Sequence, residues 1–166
     1  NVIPKHMECI YGKLQEMGAK VVVCDDAIRI ISRGRLRRSV VKTRPYPGFP
    51  TDMQAQICVC MTKANGISRL TESVYETRFF GYCTELESMG ANIQIVGKTA
   101  SVVGVENLYG GSVAAHDLRA GAALVIAGLA AQGTTYVDNI HYIERGYEKL
   151  IDKLTALGAD IRKIEE

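Results

Sequence analysis

Four charged residues, Asp52, Asp117, Arg119 and Arg145, stand where the sequence predicts helices to begin. The exposed amides and the dipole of a helix favour a negative charge at its N-terminus and disfavour a cation there. Arg119 lies two residues into an apolar run, so its position suggests a role in ligand binding. A guanidinium group binds carboxylate or phosphate through two parallel hydrogen bonds. Arg119 and Arg145 therefore predict a pocket for a small, multiply charged anion, and surface ion pairs with neighbouring glutamates are the alternative.

The approach to Asp52 is stiff. The segment Thr43–Asp52 carries three prolines within six positions. Because proline fixes its own φ, this segment should present Asp52 in one reproducible direction. The simpler interpretation of either aspartate is a helix N-cap, which stabilises a helix by about 1 kcal/mol. Taken singly, Asp52 and Asp117 both fit that interpretation.

The elements that must position these residues repeat along the chain. The pattern LxxφGA, with Met or Leu at φ, occurs three times, with its glycines 72 and 68 residues apart: Gly18, Gly90 and Gly158. Apolar residues at helical spacing precede each glycine, and strand-like runs follow at 20–23, 92–96 and 160–164. Glycine suits this position because the turn out of a helix needs a positive φ.

A second repeated element contains the aspartates. Asp52-Met53-Gln54-Ala55 corresponds to Asp117-Leu118-Arg119-Ala120, and both open apolar helices predicted over 53–65 and 118–132. These helices have almost no polar face, which predicts that they are buried inside the domain. Each unit should run helix–strand–helix–strand, with a β-hairpin after it, such as one over Ala27–Ser32 that turns at Arg33-Gly34. The predicted class is α/β, with helices at the centre instead of outside the sheet.

Composition sets broad limits on the protein. The chain has 166 residues, 47% of them hydrophobic and 23% charged, which predicts one globular domain and argues against disorder. No apolar run approaches the ~20 residues that a membrane-spanning helix needs, and no basic-then-apolar leader opens the chain. The first residue is Asn, so we expect the chain to be a fragment of something longer.

The cysteines and histidines, and the basic run at 33–44, are better explained by the fold than by a binding site. Five cysteines and three histidines lack metal-ligand spacing, so we expect no metal site and reduced, mostly buried thiols. Six basic residues without an acid lie within 33–44, in a chain of net charge +2. This run could attract nucleic acid, but no aromatic residue interleaves to stack on bases, which favours a solvated strand face.

Three long stretches carry a family resemblance: YPGFPTDMQAQ (Tyr46–Gln56), HDLRAGAALVIAGLAAQGTT (His116–Thr135) and IERGYEKLIDKLTALGADI (Ile143–Ile161). In this order they resemble the UDP-N-acetylglucosamine enolpyruvyl transferases. The resemblance covers essentially the whole chain. It implies an inside-out α/β barrel of βαβαββ units with buried central helices. Residues 1–166 would form a single domain, most of the C-terminal domain of a two-domain enzyme.

The resemblance also implies a reaction and its residues. The enolpyruvyl group of phosphoenolpyruvate is transferred to the 3-hydroxyl of UDP-N-acetylglucosamine, with release of phosphate, in the first committed step of peptidoglycan synthesis. Asp52 would contact that hydroxyl as its base, Arg119 and Arg145 would hold phosphoenolpyruvate, and Asp117 would give electrostatic support. The backbone at Val74, with Arg78 nearby, would line the nucleotide-sugar pocket.

Partners and alternatives follow from the same resemblance. We expect a cytoplasmic transferase without a cofactor, and with no nucleic-acid or membrane partner. The N-terminal domain of the same protein would complete the site, since the family's Lys-Asn pair and its mobile catalytic loop have no match here. The chain alone should therefore not turn over. The alternatives are the sister enzyme that acts on shikimate 3-phosphate and a non-catalytic binding module of the same repeats.

Overall fold

The computed structural model describes residues 1–75, 77–79 and 81–164, and its first segment is a helix followed by a hairpin. A short 3-10 turn leads into this segment, whose elements are α1 (Glu8–Glu16), β1 (Lys20–Val23) and β2 (Ile28–Ile31). β1 and β2 pair antiparallel. The hairpin turns at 24–27, where the amide of Cys24 donates to the carbonyl of Ala27 at 2.8 Å. The predicted turn at Arg33-Gly34 is therefore wrong, because the strand-like run at 28–31 is the second strand of the hairpin.

The second segment is a complete β-α-β-α-β-β unit. Its elements are β3 (Val40–Lys42), α2 (Gln54–Thr62), β4 (Ile67–Thr71), α3 (Tyr82–Ser88), β5 (Asn92–Val96) and β6 (Thr99–Val103). The four strands form one sheet in the order β3-β4-β6-β5. β3 and β4 run parallel, so α2 is the crossover between them, and the other pairs are antiparallel.

The third segment begins in the same way as the second. Its elements are β7 (Ser112–Ala114), α4 (Leu118–Ala130), β8 (Tyr136–Asp138), α5 (His141–Glu144) and α6 (Leu150–Ala156). β7 and β8 pair in parallel, with α4 as their crossover. The predicted strand at 160–164 is absent: these residues are irregular, and the residues described after Ala159 offer no second hairpin strand to pair with them.

The predicted burial of the central helices is confirmed for α2. Eight of its nine residues are buried, between the inner face of the sheet and α4. α4 is buried along one side, by Ala120, Ala123, Leu124 and Ala127 among others, whereas Ile126 and Leu129 remain 41% and 46% exposed. The repeated crossover helices thus lie side by side, and the N-terminus of each follows a predicted site aspartate.

The repeated LxxφGA pattern is explained by one backbone geometry. Each glycine has a positive φ, at +103° for Gly18, +94° for Gly90 and +95° for Gly158. In each copy the alanine amide donates back to the leucine carbonyl five residues earlier, at 2.9–3.0 Å. This is a helix C-cap that satisfies a carbonyl left over at the helix end, and it needs a residue free to adopt φ > 0.

The cysteines are all free thiols. Cys58 and Cys83 are buried, Cys9 and Cys60 are half-buried and Cys24 is exposed, so the expectation of mostly buried thiols holds for two of the five. The adjacent Cys83 thiol and burial raise the pKa of Cys58 well above its usual value. Across 1–75, 77–79 and 81–164, no helix is long and apolar enough to span a bilayer, and no group of His, Cys, Asp or Glu side chains could hold a metal ion.

Candidate active site

Asp52 and Arg119 meet across the interface of the two crossover helices. Asp52 lies in the 3-10 turn Thr51–Met53 that leads into α2, and Arg119 lies in the first turn of α4. Arg119 Nε is 2.5 Å from Asp52 Oδ1, and Arg119 Nη2 donates to Asp52 Oδ2 at 2.8 Å. This is a two-point guanidinium–carboxylate pair. Hydrogen bonding to Asp52 raises the pKa of Arg119, so the guanidinium stays charged.

A second guanidinium approaches Asp52 from its own unit. Arg78 Nη1 is 3.5 Å from Asp52 Oδ1, and the side chain of Arg78 is only 13% exposed. Its guanidinium carbon lies 5.0 Å from the centroid of the Tyr75 ring, a cation–π geometry. The Arg78 Nε atom is buried and has no hydrogen-bond partner among the described residues. The Asp52 carboxylate therefore lies between two cations, Arg119 and Arg78.

The two aspartates play different local roles. Asp117 is the N-cap of α4, and its Oδ1 accepts hydrogen bonds from the amides of Arg119 and Ala120 at 2.7 and 2.8 Å. The interpretation as an N-cap is therefore correct for Asp117. It is wrong for Asp52, whose carboxylate points to the two guanidinium groups. Met53 is the N-cap residue of α2 and makes no side-chain capping bond.

Arg145 lies near this cluster in the fold but is not joined to it. It follows α5, which packs on α4, and a Cβ on the next residue, Gly146, would lie 3.0 Å from a methyl carbon of Leu118. Its side chain is exposed and makes no ion pair within the described part of the chain. The neighbouring Glu144 pairs instead with Lys163 at 2.7 Å. The alternative interpretation, a surface ion pair of Arg145 with Glu144 or Glu148, is therefore not found among the described residues, and the Arg145 side chain is exposed.

Glu72 is a site residue that the sequence analysis missed. It is fully buried, yet its carboxylate accepts four hydrogen bonds, two from the hydroxyls of Thr43 and Thr51 and two from the amides of Val74 and Tyr75, at 2.6–2.9 Å. Burial alone would raise its pKa, but these hydrogen bonds together lower it, so the group is ionised. The amide of Val74, expected at the pocket lining, is thus bonded to Glu72, and the Val74 side chain is 45% exposed.

The strand pairing explains why Glu72 lies at the site. Thr43 and Glu72 directly follow β3 and β4, which are parallel neighbours. The carboxyl ends of parallel strands lie at the same edge of a sheet, which is where α/β proteins place their sites. The sequence analysis did not pair these two strands, so it did not bring the two residues together.

The basic run at 33–44 is partly used within the fold. Arg35 donates to the carbonyls of Lys63 and Val105, both at 2.8 Å. Within the run, β3 covers only Val40–Lys42. The side chain of Arg35 therefore fixes the C-terminal end of α2 and the segment after β6, and it is not a free phosphate ligand.

Together, the two repeated units, each with a crossover helix between parallel strands, form an α/β fold of the enolpyruvyl transferase type. The chain belongs to the EPSP synthase (3-phosphoshikimate 1-carboxyvinyltransferase) family, whose sequence profile matches residues 1–154. It is 52% identical, over 98% of its length, to UDP-N-acetylglucosamine 1-carboxyvinyltransferase 3 of Symbiobacterium thermophilum. It is 53% identical, over 99% of its length, to the protein of the same name from Caldanaerobacter subterraneus subsp. tengcongensis.

A solved structure gives the same result. The enolpyruvyl transferase NikO from Streptomyces tendae superposes on 92% of the chain with a TM-score of 0.84 and 33% sequence identity. The resemblance seen in the sequence is therefore confirmed, as is the α/β fold of the enolpyruvyl transferases. The chain spans 38% and 39% of the length of the two carboxyvinyltransferases and 35% of the NikO chain.

Proposed function

We propose that the chain is most of the C-terminal domain of a two-domain UDP-N-acetylglucosamine enolpyruvyl transferase. The names of its relatives support this assignment, and so does the fraction of their length that it spans. The complete βαβαββ unit between residues 40 and 103 supports an inside-out barrel built from such units, with α2 and α4 as two of its central helices. We further propose that the enzyme is cytoplasmic and needs no cofactor.

The proposed reaction transfers the enolpyruvyl group of phosphoenolpyruvate to the 3-hydroxyl of UDP-N-acetylglucosamine. In the addition step, the sugar oxygen bonds to C2 of phosphoenolpyruvate, the hydroxyl proton passes to a base, and C3 gains a proton. In the elimination step, C3 loses a proton and the C2–O bond to phosphate breaks. The chemistry therefore needs a base at the hydroxyl and cations at the carboxylate and phosphate.

The observation that carries this proposal is the placement of Asp52 between Arg119 and Arg78. Asp52 is the proposed base for the acceptor hydroxyl. Both of its oxygens are bonded to Arg119, so the carboxylate is held toward this guanidinium. An incoming anion would compete for Arg119, and this exchange would free Asp52 at the moment when phosphoenolpyruvate is in place.

The remaining site residues have supporting roles in this scheme. Arg145, which has no ion pair among the residues described, would supply the second cation for phosphoenolpyruvate. Asp117 would fix the start of α4, and with it the backbone of Arg119, through its N-cap bonds. Val74 and Arg78 would line the nucleotide-sugar side. The missing N-terminal domain would contribute the remaining groups.

The test is phosphate release by the complete two-domain protein. With phosphoenolpyruvate present, we expect turnover with UDP-N-acetylglucosamine and none with shikimate 3-phosphate. Asp52→Asn keeps the size of the side chain but removes the base, and we expect a loss of at least ~10²-fold in kcat. Asp25→Asn, an exposed aspartate remote from the cluster, is the matched control and should keep full activity. With phosphoenolpyruvate present, turnover with shikimate 3-phosphate and none with UDP-N-acetylglucosamine would assign the protein to the alternative acceptor.

A further inference from the structure

Glu72 is a buried carboxylate with no role in the proposed chemistry. Among the described residues it forms no ion pair with an arginine or lysine, and hydrogen bonds alone stabilise its charge. Burying a charged group is costly unless its hydrogen-bonding capacity is filled. Such a group needs an explanation beyond packing.

The contacts of Glu72 form part of a closed circuit around the site. Its Oε2 accepts from the hydroxyl of Thr51, the residue before Asp52, at 2.9 Å. Its Oε1 accepts from the amide of Tyr75 at 2.9 Å, and the carbonyl of Tyr75 accepts from the amide of Arg78 at 3.1 Å. The 3.5 Å contact between Arg78 and Asp52 closes the circuit.

The same carboxylate also fixes the stiff approach to Asp52 at its other end. Its Oε1 accepts from the hydroxyl of Thr43 at 2.6 Å, and Thr43 Oγ1 in turn accepts from the amide of Ser73 at 2.9 Å. The hydroxyl of Ser73 donates to the carbonyl of Thr43. Both ends of the proline-rich segment, at Thr43 and Thr51, are therefore attached to one side chain.

We propose that Glu72 is a positioning residue that sets the nucleotide-sugar side of the site by holding the Asp52 turn in register with Val74, Tyr75 and Arg78. This inference rests on the proposed function. Glu72 acts through hydrogen-bond geometry and touches no substrate. Arg119 belongs to the other unit, and Asp117 holds its backbone outside this circuit, so phosphoenolpyruvate binding should depend on Glu72 much less than binding of the nucleotide sugar does.

A pair of substitutions separates geometry from charge. Glu72→Gln retains one oxygen for Thr43, Val74 and Tyr75, and its amide nitrogen can donate to the Thr51 hydroxyl, which both donates and accepts. Glu72→Ala removes all four bonds. Glu87→Ala, on the exposed face of α3, is the matched control for loss of a glutamate.

In the complete protein we expect Glu72→Ala to raise KM for UDP-N-acetylglucosamine by about tenfold or more and to lower kcat, because small displacements of reacting groups are costly. KM for phosphoenolpyruvate should stay within about twofold of wild type, and Glu72→Gln should be close to wild type in all three constants. If Glu72→Ala only reduced the fraction of folded enzyme, the apparent kcat would fall and neither KM value would change. Equal changes in both KM values, a change in kcat alone, or a Glu72→Gln enzyme as impaired as Glu72→Ala would each overturn the inference.

Two further measurements keep the inference testable. If Glu72→Ala fails to fold, Thr51→Val removes a single bond of the circuit and should raise the sugar KM, while Thr51→Ser should restore it. If the wild-type protein does not release phosphate, the proposed function fails by itself. Amide hydrogen exchange at Val74 and Tyr75 then decides on Glu72: protection should be lost in Glu72→Ala and kept in Glu72→Gln, and unchanged protection in Glu72→Ala would refute its positioning role.

Discussion

Replacing Arg119 by alanine in the complete protein tests the central contact of the site. The substitution removes both donors from Asp52 and leaves that carboxylate with Arg78 at 3.5 Å as its remaining cation. It also removes the proposed ligand for phosphoenolpyruvate. The reasoning therefore predicts a large loss of activity with a small loss of stability.

The two magnitudes can be set from the structure. The Arg119 and Asp52 side chains are 35% and 54% exposed, so the pair should contribute about 1 kcal/mol or less to folding. In a domain of this size that corresponds to a Tm shift of about 2–4 °C. Removing a donor aimed at developing charge costs ~10²–10³ in kcat, or about 2.7–4 kcal/mol. The activity loss should thus exceed the stability loss severalfold in free energy.

The assay is phosphate release with both substrates, with thermal unfolding measured in parallel. Lys13→Ala is the matched control, because it removes an ion pair of similar exposure, Lys13–Glu16 at 2.6 Å, far from the site. It should keep full activity. Arg119→Lys keeps the charge but not the two-point geometry, and its rate should lie between those of Arg119→Ala and wild type. An Arg119→Ala protein that turns over within about threefold of wild type would refute the anion role.

Three further outcomes follow from the described contacts. Asp117→Ala should lower the free energy of unfolding by about 1 kcal/mol through loss of the α4 N-cap, and Asp117→Ser should recover most of it in denaturant titrations. The pKa of Glu72 is lowered from 4.5, so its ionised form stabilises the fold above about pH 4.5, and this stabilisation is lost as the pH falls through the lower folded-state pKa. The difference in Tm between wild type and Glu72→Gln should accordingly be constant above pH 4.5 and change below it; a constant difference down to pH 3 would contradict this. Gly81→Ala should destabilise the chain by about 1–2 kcal/mol, because Gly81 has φ +93° and the new Cβ would lie 2.9 Å from a ring carbon of His116. Adding His116→Ala should recover only the part due to the clash.

Local features of the fold were predictable from the sequence. The LxxφGA glycines were identified because a positive φ is a local property of one residue, and it favours glycine at that position. The buried helix α2 was identified because its apolar residues occur on every side. The run at 160–164 has the same local pattern as β1 and β5 but forms no strand, since a strand needs a partner that sequence alternation does not supply.

The pairings within the site were less predictable. The sequence placed Asp52 and Arg119 near helix starts, but their contact joins residues 67 positions apart and depends on how α2 packs against α4. Glu72 was missed for a related reason. A glutamate after a strand is usually solvated, and only the parallel pairing of β3 with β4 shows that Thr43 and Glu72 share an edge.

The second and third segments differ at one matching position near the start of their crossover helices. Gln54 in the second segment occupies the place that Arg119 has in the third, and there it is fully buried and accepts a hydrogen bond from the Tyr82 hydroxyl at 3.0 Å. The second segment therefore supplies Asp52 and the third supplies Arg119, so the two-point Asp52–Arg119 pair forms only when the two units pack together. The Asp52–Arg119 contact therefore depends on the packing of α2 against α4. A mutation that weakens this packing should break the contact while leaving the strands and helices of each unit in place.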